Sequence, residues 1–174
     1  GGIPDEDAVT LARRQGKTGY MICSNHISFL DIFLLDSILP VRFVAKKEIE
    51  SWPVFGLISR AAGTLFIDRS RKRAVLEMAE KMNETLRAGE SVLFFPEGTT
   101  GEGRVLLPFY ANLFASAVAT EAELIPVVIR YTQKGKVTTI PSYAGNIPLF
   151  TVMKRIVFSS GLEAEVQVLE PISS

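Results

Sequence analysis

Tyr20-Met21-Ile22-Cys23-Ser24-Asn25-His26-Ile27-Ser28-Phe29-Leu30-Asp31 reads as a short apolar strand that runs through a polar turn into the start of a helix. The apolar run over 20–23, bounded by turn formers, predicts a strand. Over 29–39 the apolar residues return at helical spacing, so the turn stands between a strand end and a helix start.

The same alternation repeats outward from this stretch. Apolar runs predict strands at about 42–45, 64–67, 91–95, 124–131, 137–140 and 164–169. The clearest helix covers 71–87, where Val75, Leu76, Ala79, Met82 and Leu86 share one face and Gly89 supplies the stop. Further helical patterns cover 53–62, with Ser51 near its start, 109–120 and 147–158. Strands alternating with helices predict one layered α/β domain over 1–174, with a mostly parallel central sheet and helices on both faces. The last two or three strands have the option of pairing antiparallel. In such sheets ligands bind beyond the carboxyl ends of the strands, which makes the strand-end turns the places to look for chemistry.

Composition narrows the classes. The 174 residues suit a single domain, and 19 basic against 19 acidic side chains give no net charge, so no nucleic-acid partner is expected. One cysteine, Cys23, and one histidine, His26, exclude an internal disulfide framework and an ordinary zinc site. Chemistry without metal or cofactor, in the cytoplasm, is the expectation. The longest nearly apolar stretch, 105–119, contains Pro108 and Asn112 and falls short of the roughly 20 residues of a membrane-spanning helix.

Four strand-end clusters carry candidate chemistry. In the first, His26 and Asp31 are five residues apart, which in a continuous helix would turn them about 140° away from each other. If His26 stays in the turn and Ser28 caps the helix, Asp31 falls in the first turn and reaches back to fix the imidazole tautomer, leaving the other ring nitrogen to accept a proton. Ser28-x-x-Asp31 equally fits a capping box, in which Asp31 merely satisfies backbone N–H groups. The second cluster, Gly63 to Arg69, leads into Ser70-Arg71-Lys72-Arg73 at a helix N-terminus. Cations there oppose the helix dipole, so either a bound phosphate or pairing with later glutamates accounts for them. In the third, Phe95-Pro96-Glu97-Gly98-Thr99, Gly98 permits positive φ, and Glu97 suits a hydroxyl partner better than a phosphate; an ordinary turn is the plain alternative. The fourth, Ile125-Pro126-Val127, is a buried-strand pattern.

Taken in order, these clusters resemble the blocks of the glycerolipid acyltransferase family, the group that includes 1-acyl-glycerol-3-phosphate acyltransferases and bacterial lyso-ornithine lipid acyltransferases. Asn25-His26-x-Ser28-x-x-Asp31 is similar to the first block, Gly63-x-x-Phe66-x-x-Arg69 to the second, Pro96-Glu97-Gly98-Thr99 to the third and Ile125-Pro126-Val127 to the fourth. The resemblance implies the fold of that family and an O-acyltransferase that moves a fatty acyl group from acyl-CoA or acyl carrier protein to a lysolipid hydroxyl. It implies His26 as general base and Asp31 as its orienting partner, with Arg69 on an acceptor phosphate. By the same resemblance Glu97, Gly98 and Thr99 contact the acceptor's hydroxyl region, Phe66 shapes the pocket, and Lys46 is a basic position after a strand. A histidine with an ordinary pKa near ~6.5 is largely neutral at pH 7 and able to take a proton.

Two positions depart from the family pattern: Thr100 stands where a basic residue is common, and Leu107-Pro108-Phe109-Tyr110 lacks a lysine. Both remove positive charge and bring the pattern nearer to members that acylate lyso-ornithine lipid. No G-x-S-x-G elbow is present for a serine hydrolase. A non-catalytic lipid-binding domain and a thioester hydrolase are the rival readings. A lysolipid acceptor implies a membrane surface, on the cytoplasmic face of the inner membrane, reached with an apolar segment before residue 1. Lys46, Lys47, Arg69 and Arg71 to Arg73, with Trp52, Phe55 and Leu57, are the residues expected to meet it.

Overall fold

A computed structural model of the chain describes residues 18–106, 111–144 and 147–173. Its elements are β1 (Met21–Ser24), α1 (Leu30–Ile38), β2 (Val41–Lys46), α2 (Lys47–Glu50), α3 (Pro53–Ala61), β3 (Leu65–Ile67), α4 (Lys72–Arg87) and β4 (Ser91–Phe94). A 3-10 turn (Ala111–Phe114) then leads into α5 (Ala115–Thr120), followed by β5 (Leu124–Gln133), β6 (Lys136–Val137), α6 (Leu149–Val157) and β7 (Leu162–Val168).

The described strands form one sheet in which β3, β2, β4, β1 and β5 lie side by side and parallel. β6 and β7 join β5 antiparallel, as the option for the last strands allowed. β7 pairs one edge of β5 from Val127 to Gln133, so β1 and β6 share the other edge. Between them that edge needs partners for its backbone groups. The Asn25 side chain supplies two: its amide nitrogen donates to Ile129 O at 2.9 Å, and its Oδ1 accepts from Ile129 N at 2.7 Å.

Both faces of the sheet are covered, because alternate strand residues point opposite ways and both sets are apolar. Ile22, Phe43, Leu93, Ile125, Val127 and Ile129 pack with Leu35 and Leu39 at the α1 side. Met21, Cys23, Val44, Val92 and Phe94 pack with Met78, Met82 and Leu86 of α4 and Ala117 of α5. Cys23 is a strand-core residue, and burial pushes its thiol up to about 11, far from thiolate chemistry at neutral pH.

Several boundaries differ from the sequence reading for physical reasons. The strand expected over 137–140 stops at Val137, because the following segment leaves the sheet and crosses to the loop after β1, where Tyr143 N donates to Ile27 O at 2.9 Å. Part of the helix expected over 109–120 lies outside the described residues; the rest divides into the 3-10 turn and α5. Ser51 does not cap α3, since Trp52 occupies that position with Pro53 following, and the Ser51 hydroxyl donates to Glu48 O instead. The short α2 was not foreseen. No helix among the described residues is long and apolar enough to cross a membrane.

Candidate active site at the carboxyl ends of the strands

The order of the strands creates the crevice. After β1 the chain passes to α1 on one face, whereas after β4, the neighbour of β1, it proceeds to α5 on the other. Adjacent loops that part to opposite faces leave a cleft between them, the usual ligand position in an open α/β sheet. His26 stands on the first loop and Glu97 on the second.

His26 stays in the turn, the condition for it to meet Asp31 at a five-residue spacing, and its Nδ1 lies 2.8 Å from Asp31 Oδ2. Asp31 is fully buried while the imidazole is 17 % exposed. An ionised carboxylate only accepts, so this contact places the imidazole proton on Nδ1 and leaves the lone pair on Nε2. The ring stacks on Phe95 with centroids 3.9 Å apart, which holds its plane.

Asp31 satisfies both readings of its spacing at once. Oδ2 also accepts from the backbone N–H of Ile27 at 2.7 Å and of Ser28 at 3.0 Å, the backbone bonds of the capping alternative. Ser28 itself is not the cap residue: the helix begins one residue later, after Phe29, and the Ser28 hydroxyl accepts from Leu30 N at 3.3 Å. Oδ1 accepts from the Tyr131 hydroxyl at 2.6 Å. Tyr131 was missed by the sequence reading, since nothing in a strand pattern marks one tyrosine of a buried face for a partner 100 residues away.

Glu97 is buried, 5 % exposed, and its Oε1 accepts the backbone N–H of His26 at 3.0 Å. The same loop returns a donor, Gly101 N to His26 O at 2.7 Å, so the backbone of the histidine is held at both its groups. Gly98 has φ of +70°, the conformation for which a glycine was expected, and its N–H closes the turn onto Phe95 O at 3.0 Å. Thr99 is exposed beside it. Thr100, at the position without the basic residue, donates its hydroxyl to Tyr143 O, and Ser142 donates to Gly101 O at 3.1 Å. The amides of His26, Ile27, Ser28, Leu30 and Asp31 each donate inside the protein, which leaves them committed rather than free for an oxyanion.

The remaining candidates lie farther along the same sheet edge. Lys46 ends β2 and is exposed; Phe66 is half-buried in β3, and Arg69 follows β3 and is exposed. β3 is three strand steps from β1, roughly 14 Å at about 4.8 Å per step. His26, Asp31 and Glu97 are thus in contact, while Phe66, Lys46 and Arg69 form a second group. Among the neighbouring cations, Arg73 pairs with Glu77 at 3.0 Å, the later-glutamate pairing that was the alternative to a phosphate, while Arg71 pairs with the preceding Asp68 at 3.2 Å. Hydrogen bonds from Ser70 lower the Asp68 pKa further than Arg71 does.

Of the apolar residues expected to meet a membrane, Trp52 and Phe55 are half-buried and pack on each other at 6.2 Å, with Phe29 5.8 Å from Phe55. Leu57 is exposed, in company with Val54, Ile58 and Phe33.

The Acyltransferase family model matches residues 7–130, which contain every one of these candidates. The chain is 43 % identical over 149 residues to a 1-acyl-sn-glycerol-3-phosphate acyltransferase of Neisseria gonorrhoeae, covering 85 % of this chain and 58 % of that protein. It is 35 % identical over 151 residues to a lyso-ornithine lipid O-acyltransferase of Pseudomonas aeruginosa, covering 87 % and 58 %. It therefore spans a little over half the length of these curated relatives. A solved 1-acyl-sn-glycerophosphate acyltransferase from Thermotoga maritima superposes with a TM-score of 0.58 at 21 % identity, over 95 % of this chain and 69 % of that one, and shares the fold. The resemblance read from four short blocks extends through the matched sequence, and the chain belongs to the acyltransferase family.

Proposed function

We propose that the chain transfers a fatty acyl group from acyl-CoA or acyl carrier protein to the free hydroxyl of a lysolipid such as lysophosphatidic acid, with His26 as the general base. The observation that carries this reading is the 2.8 Å contact of Nδ1 with a buried carboxylate, which leaves Nε2 as the accepting nitrogen. The acceptor hydroxyl gives its proton to Nε2 while its oxygen attacks the thioester carbonyl carbon. The tetrahedral intermediate then collapses with cleavage of the C–S bond, and the departing thiolate recovers the proton from the imidazolium. Ester and free thiol result, with no acyl-enzyme.

A second reading, lyso-ornithine lipid as acceptor, is favoured by Thr100, whose hydroxyl is engaged with Tyr143 O and which adds no charge where a cation is common. Incubating the protein with labelled acyl donor and a panel of lysolipids tests both. Transfer only to lysophosphatidic acid supports the first and transfer only to the ornithine lipid the second. Release of free acid alone means hydrolysis, and no product means inert binding.

Arg69→Ala is expected to raise the acceptor KM by about 10- to 100-fold, with the donor KM little changed, if Arg69 meets the acceptor's anionic group. Steady-state kinetics in both substrates check this; equal rises would move Arg69 to the donor's phosphates.

We also propose peripheral attachment to a membrane through the exposed Phe33, Val54, Leu57 and Ile58 together with exposed Lys46 and Lys47. Co-sedimentation with anionic vesicles is expected to weaken as salt rises, because headgroup attraction is screened over about 10 Å at 0.1 M. Absence of binding at low salt would show that this surface does not attach on its own.

A further inference from the structure

The fully buried Asp31 carboxylate holds four donors. Three are local: the His26 ring and the amides of Ile27 and Ser28, all on Oδ2. The fourth, on Oδ1, is the Tyr131 hydroxyl at 2.6 Å. Tyr131 reaches it because Ile125, Val127, Ile129 and Tyr131 alternate along β5 onto the face that α1 covers, and Asp31 lies in the first turn of α1. A buried carboxylate oxygen with no donor is costly, so the phenol completes a shell that the loop leaves unfinished.

We propose that Tyr131 is a positioning residue for acyl transfer, acting through Asp31: its hydroxyl bond fixes the carboxylate and draws charge away from Oδ2, and thereby sets the basicity of His26. This rests on the reading of His26 as the base. Among the described residues, the groups facing the pair are Asp31 and the His26 ring themselves, Tyr131 from β5, and Glu97 from the loop after β4, which accepts the His26 amide N–H. Burial first, and the Asp31 charge second, hold the phenol well above its ordinary range, so it stays a donor wherever His26 titrates. Mere satisfaction of a core tyrosine would give the same hydroxyl contact with no consequence for the imidazole.

The chain contains one histidine, so the ring protons of His26 are read by NMR without ambiguity. In Tyr131→Phe the carboxylate loses one donor and its charge bears more fully on Nδ1–H, which stabilises the imidazolium. The His26 midpoint is expected to rise by about 0.5 to 1 pH unit relative to the unsubstituted protein, and the acidic limb of the kcat profile to move with it. kcat falls by about tenfold, less than loss of the base itself, because the carboxylate held from one side only positions the imidazole less well and this outweighs the gain in basicity, while both KM values stay within about twofold. An unmoved midpoint in the folded variant overturns the proposal. If Tyr131→Phe does not fold, replacing all tyrosines with 3-fluorotyrosine keeps the hydroxyl and strengthens it as a donor. The midpoint should then fall, and no change overturns the proposal equally. Because the titration is read without turnover, a shifted midpoint in a protein that transfers no acyl group on any lysolipid overturns the role of His26 as base, whereas normal transfer with an unmoved midpoint overturns the role of Tyr131 alone.

Discussion

Replacing His26 with alanine is expected to lower the rate of acyl transfer by about 100- to 10,000-fold while the protein remains folded, the range associated with loss of a general base. The structure explains why rate and stability should separate here. The two backbone bonds that tie His26 into the fold, its own N–H to Glu97 Oε1 and the Gly101 N–H to its carbonyl oxygen, survive the substitution. Asp31 keeps Ile27 N, Ser28 N and the Tyr131 hydroxyl, so its buried charge is not orphaned. What the fold loses is the stacking of a partly exposed ring on Phe95, on the order of 1 kcal/mol, and one of the four hydrogen bonds to the Asp31 carboxylate, about 1.5 to 3 kcal/mol. Saturating kcat measurements with a thermal melt check this; more than a tenth of the original turnover in a folded protein would take His26 out of the mechanism.

Asp31 should behave differently, because one carboxylate serves both the imidazole and the backbone. In Asp31→Asn the amide oxygen can take the Oδ2 position and keep Ile27 N, Ser28 N and the ring N–H, while the NH2 meets Tyr131, whose hydroxyl turns to accept. Geometry is thereby preserved and the charge that stabilises the imidazolium is lost, for an expected fall in kcat of about 100-fold or more. Asp31→Ala removes both, stranding buried N–H groups at about 1 to 3 kcal/mol each, and should lower the melting temperature as well as the rate. Kinetics and melts on the two variants side by side separate the roles. If the asparagine form turned over normally, the carboxylate would be a structural cap and nothing more.

Much of this was legible in the sequence because it is local. For His26 and Asp31 to meet at their spacing, a turn must be followed by a helix, and apolar runs with turn formers at their ends mark the parallel strands within a residue or two. Legibility ended where partners are far apart along the chain. Asn25 reads as one more polar turn residue, yet its amide continues the ladder of β1 onto Ile129, 104 residues on. The insertion of β4 between β2 and β1 brings Glu97 to His26, and no pattern in either segment encodes that adjacency. Nor does periodicity show that the chain leaves the sheet after Thr138 and that Ser142 and Tyr143 bind the two site loops, because a short apolar run satisfies a strand template whether or not a neighbour is there to pair with it.

The place of β1 in the sheet also sets an order in time. This strand is made before both of its neighbours, β4 some 70 residues later and β5 about 100 residues later. At roughly 5 to 20 residues per second, Met21 to Ser24 wait about 4 to 14 seconds with apolar side chains on both faces and both edges unpaired, and about 5 to 20 seconds before the second edge has its partner. Through that interval the segment that will carry the base is the one most open to pairing with the wrong strand, and the Asn25 clamp closes only when Ile129 has been made.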